Sequence, residues 1–393
     1  LFKENEKFRQ TRGLMELVSR LLKSVWESDE DIYLIGAQHF DLSISEVREK
    51  LADISEMRDV ISRDLWDANH GAHAQIIDDK EGNNYAKQVS TLLFTASLST
   101  SLDAVKGLTE SELLEYLIDP HNQASTYRKA FNELQKSAWY LHQNSEGRIY
   151  FNRNENLIKK LQVYAEKAPQ PRIDELIRNK LLELYKPISR EAYDVVLPIP
   201  ELDNILDHLK TQRVLLIMSP DGRMPPSRVE KIFSELVNKN NLLILTGNKS
   251  AFGNVDNAAR QLYAVTRAND DINDVHPQRK ELDEKKVQYE QQFLSTLNSV
   301  FDQVLFPRNA GGKDVLHSKP LELTQNTSER YDGEKQIITT LTKDPLKLYT
   351  NIIENFDTLR SRAEDLLFGS QDEVRKSDLI DRNRQKTQMP WLP

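Results

Sequence analysis

TESELLEYLIDPHNQASTYRKAFNELQKSAWYLHQNSEGRIYF, residues 109–151, is the stretch whose reading decides the fold. Thr109-Glu110-Ser111-Glu112 fits a capping box: the threonine hydroxyl accepts from the third amide while the glutamate reaches back to the cap amide. A short helix to Leu117 follows, and Pro120 ends it. Over 124–136, Tyr127, Ala130, Phe131 and Leu134 fall on one face and Arg128, Lys129, Asn132 and Gln135 on the other, which predicts a second helix. Trp139-Tyr140-Leu141-His142, a polar turn over 143–147 and Arg148-Ile149-Tyr150-Phe151 have the pattern of a hairpin. Leu157, Leu161 and Tyr164 continue as a helix.

Helix, helix, hairpin, helix is the order of a winged-helix module, here placed at 106–168. Toward the N-terminus the chain reads as helical and acidic. Phe8, Leu14, Leu17, Val18, Leu21, Leu22 and Val25 recur at helical spacing over 8–26, and 42–57 and 59–69 read as further helices beyond the short apolar run 32–35. Toward the C-terminus, Pro169-Gln170-Pro171 marks a boundary. The apolar runs 195–197, 214–218 and 242–245 then alternate with helical stretches near 202–209, 228–237 and 258–267. Strands separated by helices imply parallel crossovers and a small parallel α/β sheet over 169–275. From 276 to 393 a densely charged helix runs over 277–293 into a helix ending near Phe301. Short strands at 304–306 and 315–324 flank a loop at 308–314, and helical periodicity returns over 346–368. The fold class is therefore multidomain, mixing α+β and α/β parts with a C-terminal helical region.

The 393 residues suffice for two to four domains, each with its own core. No stretch reaches the ~20 apolar residues a membrane span requires, so no membrane partner is expected. There is no cysteine, which removes disulfides, thiolate metal sites and cysteine nucleophiles and makes the reducing cytoplasm the expected setting. A net charge of -8 argues against coating nucleic acid by charge alone, while permitting a local basic patch. The opening Leu1 and the absence of an apolar leader in 1–10 suggest a segment cut from a longer protein.

A phosphate-binding loop needs a strand followed by G-x-x-x-x-G-K-[ST], and no segment satisfies it. Gly247-Asn248-Lys249-Ser250 has asparagine between glycine and lysine, and Gly312-Lys313 is followed by Asp314. Neither G-x-S-x-G nor H-E-x-x-H occurs, and nothing nominates a nucleophile. His70 and His73, near Asp78 and Asp79, have a spacing that can share a metal but lack a further ligand pattern, so no metal is expected. In an α/β sheet, ligands prefer the carboxyl ends of the strands, which makes Ser219-Pro220-Asp221-Gly222-Arg223 and the loop 246–250 contact candidates. Such residues also serve simply to make turns. Arg128, Lys129 and Lys136 on the second helix, with Arg148 at the base of the wing, are the candidate phosphate contacts of the module on double-stranded DNA. Glu133 and Glu146 weaken that field, and winged helices also bind proteins, so both readings stay open.

Lys7-Phe8-Arg9-Gln10-Thr11-Arg12-Gly13-Leu14, leading into a helix that ends at Trp26 and then Tyr33-Leu34-Ile35, resembles a large prokaryotic ATPase family of the AAA type. That family is catalogued as domain of unknown function number four-ninety-nine, and its genes lie beside DNA methyltransferases and helicases in anti-phage islands. The middle winged-helix segment, Asn241-Leu242-Leu243-Ile244-Leu245 with Asn257-Ala258-Ala259-Arg260-Gln261-Leu262, and the closing Pro390-Trp391-Leu392-Pro393 are similar too. The resemblance implies that 1–105 is a helical lid, that the nucleotide-binding core lies upstream, and that ATP and magnesium belong to the full-length parent rather than to this chain. It gives Arg12 the place of a lid arginine reaching nucleotide phosphates, a role that suits a permanently charged, forked guanidinium. A surface arginine on an amphipathic helix remains the alternative. Methyltransferase or helicase subunits are the implied protein partners.

Overall fold

The computed structural model describes residues 11–28, 31–98, 105–199, 205–220, 226–322, 331–343 and 345–392. Leu1–Lys160 and Leu161–Pro393 form two compact units.

Five helical segments open the first unit: α1 (Thr11–Glu27), α2 (Ser45–Ser55), α3 (Arg58–Val60) running into a π-turn at Ile61–Leu65, α4 (His73–Glu81) and α5 (Tyr85–Ala96). Phe8 and the motif Lys7-Phe8-Arg9-Gln10 lie outside the described residues. α5 is the hub of the unit. Val89, Leu93 and Phe94 are fully buried, and the buried hydroxyl groups turn back onto their own helix: Thr95 donates to the Thr91 and Leu92 carbonyls, Ser97 to the Leu93 carbonyl. Such back-bonding lets hydroxyl side chains sit inside an apolar core without orphaned donors.

α6 (Glu110–Leu117) begins with the capping box read from the sequence: the Glu112 amide donates to Thr109 Oγ1 at 3.2 Å and the Thr109 amide to Glu112 Oε2 at 2.9 Å. α7 (Ala124–Ser137) buries Tyr127, Ala130, Phe131 and Leu134, as its periodicity predicts. β1 (Leu141–Gln143) and β2 (Ile149–Phe151) pair antiparallel, and α8 (Leu157–Glu166) follows. A third extended segment joins the hairpin, since Leu108 and Ile149 exchange both backbone hydrogen bonds, at 3.0 and 2.7 Å. Gly107 makes this approach feasible. Its φ is +75°, and a Cβ there would stand 2.1 Å from the Ile149 carbonyl oxygen.

In the second unit, α9 (Gln170–Leu184) starts where the sequence suggested a boundary: Pro171 falls in its first turn, where a missing N–H costs nothing. There follow β3 (Val195–Pro198), α10 (Ile205–Leu209), β4 (Val214–Ile217), α11 (Pro226–Glu235), β5 (Leu242–Thr246), α12 (Phe252–Asp271), α13 (Arg279–Val300), β6 (Gln303–Ala310), β7 (Lys313–Pro320), α14 (Gly333–Leu341), α15 (Phe356–Ala363) and α16 (Lys376–Gln385). The sheet order is β3-β4-β5-β6-β7. β3, β4 and β5 are parallel, as expected, but the small parallel sheet is in fact a mixed five-stranded one, because β6 and β7 add antiparallel. The cause is the connection. One crossover helix returns the chain to the starting end of the sheet, whereas the antiparallel pair α12 and α13 leaves it at the far end. The expected loop at 308–314 is likewise strand, with the reversal compressed into Gly311 and Gly312, both at positive φ. Both faces of β4 and β5 are covered, which explains their unbroken apolar runs. Leu215, Ile217, Leu243 and Leu245 meet α9, α12, α13 and α14, while Val214, Leu216, Leu242 and Ile244 meet α10 and α11.

Candidate nucleic-acid interface

α7 presents its solvent face through Ser125, Arg128, Lys129, Asn132, Gln135 and Lys136, all exposed. No apolar side chain interrupts this face. The fold brings three of the four expected phosphate contacts together here, and each cation already has an anionic neighbour. Arg128 pairs with Glu110 of α6 at 2.8 Å, Lys129 with Glu81 of α4, and Lys136 with Glu133 one turn back at 2.8 Å. Such exposed pairs hold a side chain by only ~0–1 kcal/mol, so a phosphate can replace the carboxylate at little cost.

Arg148 is placed differently. Its guanidinium folds back under the hairpin, 17% exposed, donating to Glu112 at 2.9 Å and to the Gly107 carbonyl at 2.9 Å. It thereby joins the capping box of α6 to the segment that pairs with β2. The carboxylate of Glu112 is held below its usual range, first by the Thr109 amide and then by Arg148. This arginine is spent on the fold. At the hairpin tip Asn144 Oδ1 accepts from the Glu146 and Arg148 amides at 3.0 and 2.9 Å, which closes the turn without a free cation at its apex.

Asp64 anchors the end of α7 from within the core, and nothing in its local sequence announced it. Fully buried in the π-turn after α3, it accepts from the Trp139 amide and, at 2.7 Å, from the Tyr140 amide, where α7 gives way to the hairpin. Burial pushes its pKa up to about 6 against the pull of those two amides. Neighbouring Arg63 stacks on the Trp139 ring at 4.0 Å and pairs with Glu155 at 3.0 Å. The junction of α7 and the hairpin is thus tied to Asp64, 75 positions before Trp139 in the chain.

The remaining candidates fall elsewhere. Arg12 is exposed on α1 with no ion pair among the described residues. Asp78, read near the two histidines, instead accepts from the Ala86 and Lys87 amides at the start of α5. Among the described residues no group of three or more metal-ligating side chains converges, and no helix is long and apolar enough to cross a membrane. At the carboxyl end of β5, Gly247 packs on the Val300 carbonyl and Asn248 caps Ser250. Asp221-Gly222-Arg223, from the other contact loop, lies outside the described residues. Comparisons with family models, with curated proteins and with solved structures find no match to this chain.

Proposed function

We propose that this chain is the effector portion of a larger ATP-binding protein, engaging duplex DNA through residues 106–168, read as a winged helix with α7 facing the groove. The observation that carries the DNA half is the outward face of α7, where cations and neutral hydrogen-bonding side chains stand together without an apolar residue among them. The order of α5, Leu108, α6, α7 and the β1–β2 hairpin supports the same reading. Arg128, Lys129 and Lys136 trade carboxylates for phosphates, and Arg148 positions the hairpin. The test is fluorescence anisotropy of a labelled duplex across a salt series. Three phosphate contacts give a slope of log K against log salt of about -3. Replacing Arg128, Lys129 and Lys136 with glutamate abolishes binding. A flat salt response, or full affinity in the triple variant, removes the DNA half.

The ATPase half rests on the resemblance of 7–35. It expects G-x-x-x-x-G-K-[ST] after a strand in the parent gene upstream of Leu1, with Arg12 of the lid coupling nucleotide state to the winged helix. An upstream region lacking that motif removes the ATPase half and leaves the DNA half standing.

A second reading, a non-enzymatic scaffold or regulator that binds other proteins, is favoured by one observation. Met15, Val18, Leu22 and Trp26 form an exposed apolar stripe along α1, and Tyr33 and Leu34 are exposed nearby in sequence. On this reading Leu22→Glu with Trp26→Glu abolishes co-purification of partner proteins with the chain and leaves duplex affinity unchanged.

A further inference from the structure

Resting on the duplex-binding reading of α7, we propose that the module reads sequence as well as phosphate, and that Asn132 does so through the N7 and N6 edge of an adenine in the major groove. Ser125, Lys129, Asn132 and Lys136 follow each other at four, three and four residues, so they form one ridge along the exposed side of α7, opposite the buried Tyr127, Ala130, Phe131 and Leu134. Asn132 sits at the middle of that ridge. Arg128 and Lys129, one turn before it, are drawn apart, the first toward Glu110 of α6 and the second toward Glu81 of α4. Lys136, one turn after it, is held by Glu133. Along this face Asn132 is therefore the uncharged amide between Lys129 and Lys136, with Arg128 to one side, so the cations can meet the phosphate rows that border a groove while the amide faces the bases.

The chemistry of that amide selects the base. Asn132 is exposed and makes no side-chain hydrogen bond among the described residues. A carboxamide offers an acceptor and a donor side by side, which matches the N6 donor and N7 acceptor of adenine in a bidentate pair. Guanine presents two acceptors there and suits a guanidinium, but Arg128 is on the flank. Cytosine wants an acceptor alone, which would leave the amide donors of Asn132 without a partner. The ridge has no apolar side chain to meet the thymine methyl.

The experiment is selection of bound duplexes from a pool with a randomised core, using the full chain and its Asn132→Ala variant, followed by 7-deazaadenine substitution at the enriched position. The wild type is expected to enrich an A·T pair at one fixed position, and 7-deazaadenine there to weaken it roughly tenfold, the discrimination of one bidentate base contact. Asn132→Ala is expected to lose both effects while keeping its fold and its salt slope, since alanine is the better helix former. A motif that Asn132→Ala leaves intact overturns the proposal, as does a pool that binds in the wild type without enrichment, which marks phosphate contact alone. A wild type that retains no duplex even at low salt is a failure of the duplex-binding reading itself.

Discussion

Asp64 and Arg148 show how single charged side chains shape the α7 surface without belonging to it. Asp64 keeps its carboxylate in an apolar setting, with its pKa moved from 3.8 to about 6. Because the folded value is raised, the folded state holds the proton more tightly, so the contribution of Asp64 to stability is fully present below pH ~4 and is lost as pH rises through 6. The full effect is roughly 3 kcal/mol. Urea denaturation of wild type and Asp64→Asn at several pH values is expected to show the stability difference between them change by this amount between pH 4 and 7, against the wild type as pH rises, and parallel curves exclude it. Arg148→Met is expected to destabilise the first unit by about 1–3 kcal/mol, because Glu112 and the Gly107 carbonyl lose a charged donor. Its duplex affinity at a temperature where it is folded stays that of the wild type. A selective loss of affinity would return Arg148 to the contact surface. Neither role was legible in the sequence, which presents Arg148 as one more cation on a basic segment and Asp64 as one acid among many.

At the scale of elements, the segment 106–151 folds as its local chemistry dictates. Thr109 and Glu112 set the start of α6, Tyr127 to Leu134 set the buried face of α7, and Asn144 and Gly147 turn the hairpin. Gly107→Ala is expected to unfold this segment more readily than Thr109→Ala. The glycine change drives a methyl into the Ile149 carbonyl at a positive φ, whereas loss of the cap costs about 1 kcal/mol. Thermal melting of the two variants ranks them, and an equal shift would show that the Leu108 bridge contributes little. The missed elements share a cause as well. α5 carries Val89, Thr91 and Thr95 and is buried around most of its circumference, so it lacks the one-sided periodicity by which a surface helix is recognised. The prolines flanking Gln170 punctuate a chain and also open helices, and only packing against the sheet decides between them.

Across the whole molecule, local patterning located the parallel strands, while the closure of the second unit depends on residues far apart in the chain. Lys347 is the centre of that closure. Its buried ammonium donates to Asn240 Oδ1 at 2.7 Å, the Thr387 carbonyl at 3.0 Å and the Met389 carbonyl at 3.2 Å, and stands 5.1 Å from the Trp391 ring. Trp391 in turn donates through Nε1 to the Asn240 carbonyl at 2.8 Å and pairs with Leu348. Three stretches, around 240, 347 and 390, are thus joined at one lysine, a convergence no window of sequence displays. Burial brings the Lys347 pKa down to about 7, with Arg362 pushing the same way and Asp314 opposing. The folded value lies below the unfolded one, so between pH 7 and 10.5 the unfolded chain binds more protons and stability rises with pH. The change is on the order of a few kcal/mol. In Lys347→Met the rise should vanish, while the acceptors left without a donor lower stability at every pH. Denaturant titrations at pH 7 and pH 9.5, read as the difference between wild type and variant, decide the matter. If the variant gains as much stability over that interval as the wild type, the ammonium is not what makes this closure sensitive to pH, and the Trp391–Asn240 bond with the Leu348–Trp391 bridge is what holds the C-terminal segment in place.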